Sequence, residues 1–380
     1  MSVFRHGLVI GKFYPPHSGH EYLIRAAADS AQQVTVVVMA ADLESIALAQ
    51  RVAWLTEMFS ARANVCITGV IDNDAIDYQS DSIWQLHVEH MRRGIAQAEA
   101  SRPAAAGPVD AVFTSEDYGH EMARRFDAAA VCLDPARELY PVCASAVRSN
   151  PAACWQHLAA CVREYLCQRV VIVGAESSGK STLAAALAAR LRERGATWAA
   201  TRWVAEYGRE YTVTKVAVQR ALTPERRPQL ADLQQLRWES AEFAVIADQQ
   251  RQRESQAARN SGPVLICDTD AFATGVWHER YLGHRSIAVE ALAERGRARL
   301  GYVLSNWRDV PFEQDGLRDG EHVREWMHER FVARLTEEQV PWILASGSLQ
   351  MRVERCLSWL DQQLANAWRF ADPLDEHPWQ

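Results

Sequence analysis

The chain alternates short apolar runs with longer segments in which apolar residues recur at helical spacing, and this alternation occurs twice. The first series of strand-like runs comprises GLVIG, VTVVVMA, NVCITGV, DAVFTSE and AAVCLDP. The second series comprises RVVIVGA, TRWVAEY, VLICDTD, GYVLSNW and PWILASG. Nearly continuous apolar strands separated by helices are typical of parallel sheets that are covered on both faces. The pattern therefore predicts an α/β protein with two parallel sheets.

A helical stretch, NPAACWQHLAACVREYLCQ, separates the two series and begins at Pro151, a favourable residue for a first helical turn. The 380 residues are enough for two domains with separate cores. We therefore expect a first domain at residues 1–167 and a second domain at residues 168–380. The last ten residues, ADPLDEHPWQ, are predicted to form a loose tail.

Composition narrows the function classes. The formal net charge of −7 gives no electrostatic reason to expect nucleic acid as a partner. No apolar run approaches the roughly 20 residues that cross a bilayer, and the N-terminus turns polar too quickly for a signal peptide. Eight scattered cysteines without a C-x-x-C pair indicate reduced thiols rather than a disulfide framework or a zinc site. We expect a cytoplasmic protein that has no nucleic-acid or membrane partner.

The second series carries a phosphate-binding loop directly after its first strand, in VVIVGAESSGKSTLAAALAARL. Gly174, four further residues, Gly179, Lys180 and Ser181 match the P-loop pattern in the strand–loop–helix context that this pattern requires. Backbone N–H groups and the helix N-terminus would cradle phosphates, Lys180 would reach the β and γ phosphates, and Ser181 would bind Mg²⁺. The predicted ATP site comprises Gly174, Ser177, Ser178, Gly179, Lys180, Ser181 and Thr182.

Three later segments would complete this site. Asp268 and Asp270 end the strand VLICDTD, where a second acidic group near Mg²⁺ would lie; the alternative is that they cap the next helix. Arg318 is either a lid arginine over the transferring phosphoryl group or part of a solvated helix start. The segment RWVAEYGREY combines aromatic rings with carboxylates, which suits a ribose-bearing ring compound. The candidate substrate residues are Glu206, Tyr207, Arg209, Glu210, Tyr211 and Asp270.

The first series has a different loop between its first strand and the following helix, GKFYPPHSGH. His17 and His20 form an i, i+3 pair that could bind metal, although no third ligand has motif-like spacing. The other interpretation places both imidazoles at a helix N-terminus, where they donate hydrogen bonds to the phosphates of ATP during nucleotidyl transfer. Gly19 keeps the turn open for phosphate, and Lys12 adds a cation. H-x-G-H after a strand is a signature of the nucleotidyltransferases.

Further motifs follow in a set order. VCASAVRSNP resembles the second nucleotidyltransferase signature, with Ser145 and Arg148 in place and Cys143 where serine is more usual. An adenine or ribose wall would come from three residues at a strand end, Thr114, Ser115 and Glu116. Together with GAESSGKST, VAEYGREY, CDTD and DGLRDG, these motifs extend over nearly all of the chain. The chain resembles the bifunctional nicotinamide-nucleotide adenylyltransferase/ribosylnicotinamide kinase family (NadR-type).

The resemblance implies a Rossmann-like nucleotidyltransferase parallel sheet followed by a P-loop kinase parallel sheet. The kinase would phosphorylate the 5′-hydroxyl of nicotinamide riboside with ATP and Mg²⁺, which gives nicotinamide mononucleotide (NMN). The nucleotidyltransferase would join NMN to the adenylyl group of a second ATP, which gives NAD and pyrophosphate. Many members carry an N-terminal helix-turn-helix repressor, which this chain is expected to lack, and a homo-oligomer is compatible with the assignment.

The same resemblance assigns the site residues. Catalysis would fall to Lys12, His17, His20, Arg148, Lys180 and Asp268. Further ATP contacts would come from Gly11, Phe13, Gly19, Thr114, Ser115, Glu116, Ser145 and Arg318, and Mg²⁺ would be held by Ser181 and Asp268. Trp84 would stack on the pyridine ring, unless it is a core tryptophan. The acids of DNDAID, which lack the glycine of a calcium loop, are interpreted as solvated loop residues.

Other functions fit parts of the sequence. A coenzyme A-pathway adenylyltransferase/kinase fusion has the same two loop types and differs in pocket chemistry. A flavin-synthesis fusion also begins with a nucleotidyltransferase, but its kinase half lacks a P-loop. A sensor that binds ATP or NAD without turnover would also keep both loops, although His17, His20, Lys180 and Asp268 together favour catalysis.

Overall fold

The computed structural model describes residues 3–77, 79–102, 104–222, 236–295, 299–315, 318 and 320–373. Contacts between Cα atoms divide the chain into two compact units. The first unit contains Met1–Val162 and Trp368–Gln380, and the second contains Arg163–Ala367. The division thus falls a few residues before the expected boundary at 167/168, and the end of the chain groups with the first unit instead of the second.

The first unit is built on five parallel strands in the order β3-β2-β1-β4-β5, and each strand corresponds to one apolar run of the first series. The strands are β1 (Phe4–Gly11), β2 (Ala31–Ala40), β3 (Val65–Ile71), β4 (Ala111–Thr114) and β5 (Ala129–Cys132). The helices up to residue 166 are α1 (Ser18–Ser30), α2 (Leu48–Met58), α3 (Asp81–Ser101), α4 (Gly119–Phe126), α5 (Ala144–Ser149) and α6 (Ala160–Leu166).

Apolar side chains cover both faces of this sheet. Val36 and Val38 of β2 belong to one buried cluster, together with Leu55 of α2. Val37, between them, belongs to a second cluster with Met91 of α3. Because successive residues of a strand point to opposite faces, β2 is buried on both sides. The expectation of a parallel sheet covered on both faces is confirmed.

The second unit repeats this plan with five parallel strands in the order β10-β9-β6-β8-β7. They are β6 (Gln168–Val173), β7 (Arg202–Val204), β8 (Val264–Asp268), β9 (Arg299–Ser305) and β10 (Trp342–Ala345). The helices are α7 (Lys180–Arg192), α8 (Tyr207–Leu222), α9 (Ser240–Ala258), α10 (Ala271–Leu282), α11 (Ile287–Arg295), α12 (Arg324–Glu337) and α13 (Leu349–Leu364). Among the described residues, no helix has the length and apolarity that a bilayer crossing requires.

Each sheet has the first strand of its series in the middle. β1 lies between β2 and β4, and β6 lies between β8 and β9. In open parallel sheets, ligands bind outside the carboxyl ends of the strands, where the strand order reverses. The loop GKFYPPHSGH follows β1 and the loop GAESSGK follows β6. The topology therefore puts both predicted phosphate loops at the ligand-binding position of such sheets.

The first residue of the predicted loose tail, Ala371, is held by hydrogen bonds, whereas residues 374–380 of that tail lie outside the described residues. The hydroxyl of Tyr14 donates a hydrogen bond to the carbonyl oxygen of Ala371 at 3.0 Å. Phe370 meets the ring of Tyr14 edge-on, with centroids 6.0 Å apart. The backbone N–H of Ala371 donates to Ser45 Oγ at 2.5 Å. These contacts tie the segment to the loop after β1.

Candidate functional site

His17 and His20 are joined by hydrogen bonds at the start of α1. His17 is the N-cap residue, and its Nδ1 accepts a hydrogen bond from the backbone N–H of Gly19 at 3.2 Å. His20 Nδ1 accepts one from the backbone N–H of His17 at 3.3 Å. The two ring centroids are 3.8 Å apart. Because both Nδ1 atoms act as acceptors, this network assigns the proton of each neutral ring to Nε2.

Burial keeps both imidazoles neutral. It lowers the pKa of His17 to about 4, with smaller contributions from the charges of Arg137 and His157. It also lowers the pKa of His20 well below its usual value, with His17 and Arg137 adding to the effect. Among the described residues, no third metal-ligating side chain joins this pair. The geometry favours two neutral Nε2–H donors over a metal site.

The histidines line a cleft of about 350 Å³. Three cations also line this cleft, Lys12, Arg137 and Arg148. Arg148 donates to the carbonyl oxygen of Tyr14 at 2.8 Å, and Arg137 pairs with Glu116 at 2.7 Å. The cleft brings together all the nucleotide residues predicted for the first unit, Gly11, Lys12, Phe13, His17, Gly19, His20, Thr114, Ser115, Glu116, Ser145 and Arg148. Three cations and two neutral donors suit a triphosphate.

A buried ion pair supports the loop after β1. The side chains of Glu44 and Arg51 are fully buried, and their charged groups lie 2.6 Å apart. Arg51 donates to the carbonyl oxygen of Lys12 at 3.1 Å, and its guanidinium lies over the ring of Tyr14 at 4.3 Å. Glu44 also lies 3.6 Å from Lys12 Nζ. The pair therefore positions both the backbone and the side chain of Lys12.

Cys143, which stands where serine is more usual, caps the start of α5. It is the N-cap of α5, and its Sγ accepts a hydrogen bond from the backbone N–H of Ala146 at 3.4 Å. The same sulfur lies 3.0 Å from the hydroxyl of Ser145. A thiol can therefore cap this short helix, which carries Ser145 and Arg148 into the cleft.

A second cleft of about 120 Å³ adjoins the first, since Ile10, Gly11, Lys12 and Tyr118 line both. Trp84 lines this smaller cleft. It also belongs to the core cluster on that face of the sheet and is only 6% exposed. The two interpretations of Trp84 are thus compatible, because a core tryptophan can present part of its ring to a cleft. We call this space the ring cleft.

The interpretation of DNDAID as solvated acids is wrong for Asp72. Its side chain is only 8% exposed, and its Oδ2 lies 2.6 Å from Nδ1 of His87. This hydrogen bond is the main cause that raises the pKa of His87. Asp74 lies 2.7 Å from Nε2 of His90. No local pattern indicates these pairs, because both histidines belong to α3, many residues later.

The loop after β6 has the conformation that a P-loop requires. Gly174 and Gly179 adopt φ angles of +149° and +78°. A Cβ at Gly174 would lie 2.9 Å from Ser178 Oγ and from the carbonyl oxygen of Ser305. Lys180 is buried, and its Nζ donates to the carbonyl oxygen of Ala175 at 3.0 Å. Its ammonium thus lies across the loop that would surround the phosphates.

Asp268 lies at the end of β8, next to the P-loop helix. The hydroxyl of Ser181 donates to its Oδ2 at 2.5 Å. Its Oδ1 is buried and has no hydrogen-bond partner. Burial raises the pKa of Asp268, and the charge of Lys180 opposes that rise. One oxygen of this carboxylate thus accepts a hydrogen bond from the P-loop hydroxyl, and the other has no hydrogen-bond partner. Such oxygen atoms are the ligands that magnesium prefers.

The second unit has a cleft of about 220 Å³. It is lined by P-loop residues, among them Lys180 and Ser181, and by Glu206. Although part of the residue faces the cleft, burial raises the pKa of its carboxyl to about 7. Lys180 lowers this pKa, whereas the negative charges of Asp268 and Glu176 raise it further. A carboxyl that titrates near neutral pH inside a cleft is a candidate general base.

Arg318 also lines this cleft and contacts the P-loop. Its Nη1 donates to Ser177 Oγ at 3.1 Å and to the carbonyl oxygen of Glu313 at 2.7 Å. Nearby, the backbone N–H of Gly320 donates to Glu176 at 2.8 Å. The segment before α12 is therefore hydrogen-bonded to the P-loop, and the arginine lies where a lid residue would.

Known proteins are similar to this chain in both sequence and fold. Residues 169–352 match the family model described as AAA domain. The chain is 25% identical to the trifunctional NAD biosynthesis/regulator protein NadR of Escherichia coli (strain K12), over 87% of this chain and 76% of that protein. It is also 25% identical to the protein of that name from Salmonella typhimurium, over 94% and 83% of the two chains. The chain is a homologue of NadR.

Two solved NadR structures share the fold of this NadR homologue. A crystal structure of NadR in complex with NR has a TM-score of 0.69 and 20% sequence identity, and the likeness covers 95% of this chain and 96% of that one. A crystal structure of NadR in complex with NAD and AMP-PNP has a TM-score of 0.67 and 20% identity, over 96% and 98% of the chains. The element order and the two parallel sheets are therefore those of NadR.

Four of the six residues predicted to bind substrate in the second unit lie outside the cleft lining, and so do the predicted metal ligand Asp268 and the P-loop residue Gly174. Asp270 caps α10, accepting a hydrogen bond from the backbone N–H of Ala273 at 2.8 Å, as the alternative interpretation had it. Glu210 pairs with Arg253 on an exposed face. Tyr207 lies under the guanidinium of that same arginine. The hydroxyl of Tyr211 donates to Glu242 at 3.0 Å.

An aromatic wall of this cleft was missed. It comprises Trp238, Phe243, Trp277 and Tyr281, and the ring of Tyr281 contacts the other three. These residues come from the segment before α9, from α9 and from α10, so no short motif joins them. Aromatic residues recur in RWESAEF and VWHERY, and this recurrence is the only signal that could have indicated the wall.

Proposed function

We propose that the chain is a bifunctional enzyme of NAD synthesis, with the two reactions carried out in separate units. The second unit phosphorylates the 5′-hydroxyl of nicotinamide riboside with ATP, and the first unit transfers the adenylyl group of ATP to NMN. The observation that carries this proposal is the presence of two different phosphate loops, each at the switch point of its own parallel sheet. The NadR relatives are named as NAD biosynthesis proteins, which supports the same conclusion.

In the first unit, an oxygen of the NMN phosphate attacks the α-phosphorus of ATP, and the bond to the leaving pyrophosphate breaks. Negative charge grows on the α- and β-phosphate oxygens during this step. The Nε2–H groups of His17 and His20 donate hydrogen bonds to those oxygens, and Lys12, Arg137 and Arg148 offset the charge. Because the nucleophile is already ionised, no general base is required, and alignment in the cleft supplies the rest of the catalysis.

In the second unit, the 5′-hydroxyl of the riboside attacks the γ-phosphorus of ATP and must lose a proton. Glu206 receives that proton, because its carboxyl titrates near pH 7 and faces the cleft. Lys180 and Arg318 offset the charge on the phosphates. The aromatic wall provides a surface against which the pyridine ring stacks. This assignment gives Glu206 the role of base and leaves Asp268 for the metal.

Ser181 and Asp268 fit a magnesium ion, because a buried carboxylate oxygen without a hydrogen-bond partner lies beside a hydroxyl at the P-loop helix. Magnesium prefers oxygen ligands. When bound, it supplies neutralisation of charge on the β- and γ-phosphate oxygens. Asp268 and Ser181 would hold that ion next to Lys180.

The ring cleft of the first unit suits a cationic pyridine. Asp72, Asp74 and Asp77 line it beside Trp84, and Lys12 is the only lysine or arginine among the described residues that line it. The pyridinium ring of NMN carries a positive charge, which the carboxylates attract. A nicotinate ring would bring an additional carboxylate against the same wall and be repelled. The cleft therefore favours the amide form of the substrate.

The test is product formation by the purified full-length chain. With nicotinamide riboside, ATP and Mg²⁺, we expect NMN to form first and NAD to follow, with one ADP and one pyrophosphate released for each NAD. Binding of ATP without any turnover would support a sensor and overturn the proposal. Turnover only with a phosphopantetheine-type substrate would instead favour the coenzyme A-pathway alternative.

A further inference from the structure

Two carboxylates and a histidine lie together apart from both phosphate loops. We propose that Asp72, Asp74 and His90 form a binding site for a divalent transition-metal ion. Asp72 and Asp74 directly follow β3, and His90 lies on α3. The three side chains thus come from two elements that pack against each other on one face of the first sheet.

Local geometry explains why these groups converge. Asp72 and Asp74 directly follow β3, and the backbone N–H of Asp74 donates to Asp72 Oδ1 at 3.1 Å, which holds the two acids in one turn. His87 and His90 are three residues apart on α3, so they share one face of the helix. The helix face and the end of the strand therefore turn the imidazoles towards the carboxylates.

The distances are close to those of a metal site. One donor atom from each of the three residues lies within 4.8 Å of the other two. His90 Nε2 is 2.7 Å from Asp74 Oδ2 and 3.7 Å from Asp72 Oδ1. A tetrahedral ion with bonds of about 2.1 Å separates its ligand atoms by about 3.4 Å. Movements of about 1 Å or less would therefore convert the hydrogen-bonded group into a ligand set.

His87 orients Asp72 and does not serve as a ligand. Its Nδ1 lies 2.6 Å from Asp72 Oδ2, and its Nε2 lies 3.2 Å from the carbonyl oxygen of Ala75. Both ring nitrogens are thus engaged, while the other carboxylate oxygen of Asp72 is directed towards His90. A hydrogen bond to a ligating carboxylate from outside the ligand set is a regular feature of metal sites.

The chemistry of these three ligand side chains determines which class of metal ion they bind. Two carboxylates and one imidazole suit Zn²⁺, Co²⁺ or Mn²⁺, whereas Mg²⁺ and Ca²⁺ prefer oxygen ligands alone. The side chain of Asp74 is 37% exposed and that of His90 is 17% exposed. An ion can therefore enter from the surface, and water can complete its coordination. Asp72 and Asp74 also line the ring cleft, so a bound ion would occupy two of its three carboxylates, and the attraction of this cleft for a pyridinium ring belongs to the ion-free state.

The experiment is a Co²⁺ titration of the chelator-treated, full-length chain without nucleotide, followed by visible absorption and then displacement by Zn²⁺. We expect about one equivalent of Co²⁺ to give d–d bands of low-symmetry coordination that includes nitrogen. His90→Gln and Asp74→Asn should each weaken this binding at least tenfold. His120→Gln, at an exposed histidine on α4, is the matched control and should bind as the parent does.

Binding of Co²⁺ at the proposed magnesium site is tested with a separate variant. Asp268→Asn should leave the cobalt bands unchanged, since that residue lies in the second unit. The melting temperature of each metal-free variant shows whether it has folded. Two variants are used so that the test still holds if one of them does not fold. If the parent chain gives no such bands, or if His90→Gln and Asp74→Asn both bind as tightly as His120→Gln, the site does not exist.

Discussion

The two phosphate loops are held in place in different ways. In the loop after β6, Ser178 and Lys180 both donate to the carbonyl oxygen of Ala175, at 2.9 and 3.0 Å, and distant residues donate to the carbonyl oxygen of Ser178. In the loop after β1, the imidazoles of His17 and His20 accept the local hydrogen bonds. Arg51, Arg148 and Ala371 contact its backbone or Tyr14 across 39, 134 and 357 positions of sequence. Both loops therefore need the assembled fold, and they differ in the group that receives the local hydrogen bonds, which is a backbone carbonyl in one loop and two imidazoles in the other.

The loops also present different chemistry to phosphate. The P-loop places a buried ammonium, that of Lys180, across the loop. The H-x-G-H loop places two neutral imidazoles at its helix and keeps its cations at the rim of the cleft. We infer that each loop serves one reaction only, so that damage to one should leave the other working.

The largest effect is expected from Lys180→Ala. Removing the ammonium leaves the developing charge on the β- and γ-phosphate oxygens without its closest cation. Riboside phosphorylation should fall by about 10³-fold or more, while adenylylation of supplied NMN by the same protein continues at the parent rate. Both rates can be measured on one preparation. A matching fall in both would show that the two sites are not separate.

His20→Ala is the converse change. Loss of one preorganised donor should cost adenylyl transfer about 2–4 kcal/mol, which is about 10²–10³-fold in rate. Riboside phosphorylation should be nearly unaffected. His120→Ala, at an exposed histidine outside the cleft, is the control and should alter neither rate. An adenylyl-transfer rate for His20→Ala equal to that of the control would remove this imidazole from the mechanism.

Glu206→Gln should lower riboside phosphorylation by about 10²-fold, since a general base contributes at least that much. The pKa of Glu206 is raised to about 7, so the basic form is populated above that pH. The parent's kinase rate should therefore rise with pH up to about 7 and then level off, and the variant should lose this rise. The pKa of His17 is about 4, so adenylyl transfer should show no such rise between pH 6 and 8. A kinase profile unchanged by the substitution would assign the base elsewhere.

The smallest effect is expected from Cys143→Ser. A hydroxyl is a stronger N-cap acceptor than a thiol, so the free energy of unfolding of the first unit should increase by about 0.5 kcal/mol. Adenylyl transfer should change less than twofold, because the role of this residue is to cap the start of α5 and not to contact phosphate. Urea denaturation followed by the loss of adenylyl transfer measures the first quantity. A large gain in rate would show that the hydroxyl acts in catalysis.

Features with local determinants could be predicted from sequence. All ten strands of the two sheets coincide with apolar runs; in central strands such as β6 and β8 burial on both faces leaves a continuous hydrophobic signal, whereas the edge strands β5 and β7 are partly exposed. The P-loop residues lie within eight positions of one another, and the motif contains its own conformational determinants. The second unit's Asp268 follows from its position at a strand end, since parallel strands bring such ends to one edge of the sheet.

Residues that depend on the assembled fold gave no local signal. Glu44 and Arg51 belong to no motif, yet their side chains are fully buried and the pair contacts Lys12. Asp72 is interpreted from the sequence as a solvated acid because its partner His87 is fifteen positions away on another element. In both cases tertiary contacts, which sequence spacing does not encode, decide the role. Asp270 has two interpretations from the sequence, a substrate residue or a helix cap, and the structure shows the cap on α10.

The central claim, that each loop catalyses one reaction independently, is tested most directly by mixing two full-length variants. Full-length chains are needed because Phe370 and Ala371 contact the loop after β1. With riboside, ATP and Mg²⁺, Lys180→Ala alone should form no NMN, and His20→Ala alone should accumulate NMN with little NAD. An equimolar mixture should convert the riboside to NAD, because NMN released by one chain is used by the other. A mixture in which NMN accumulates without NAD, or in which no NMN forms, would contradict the account.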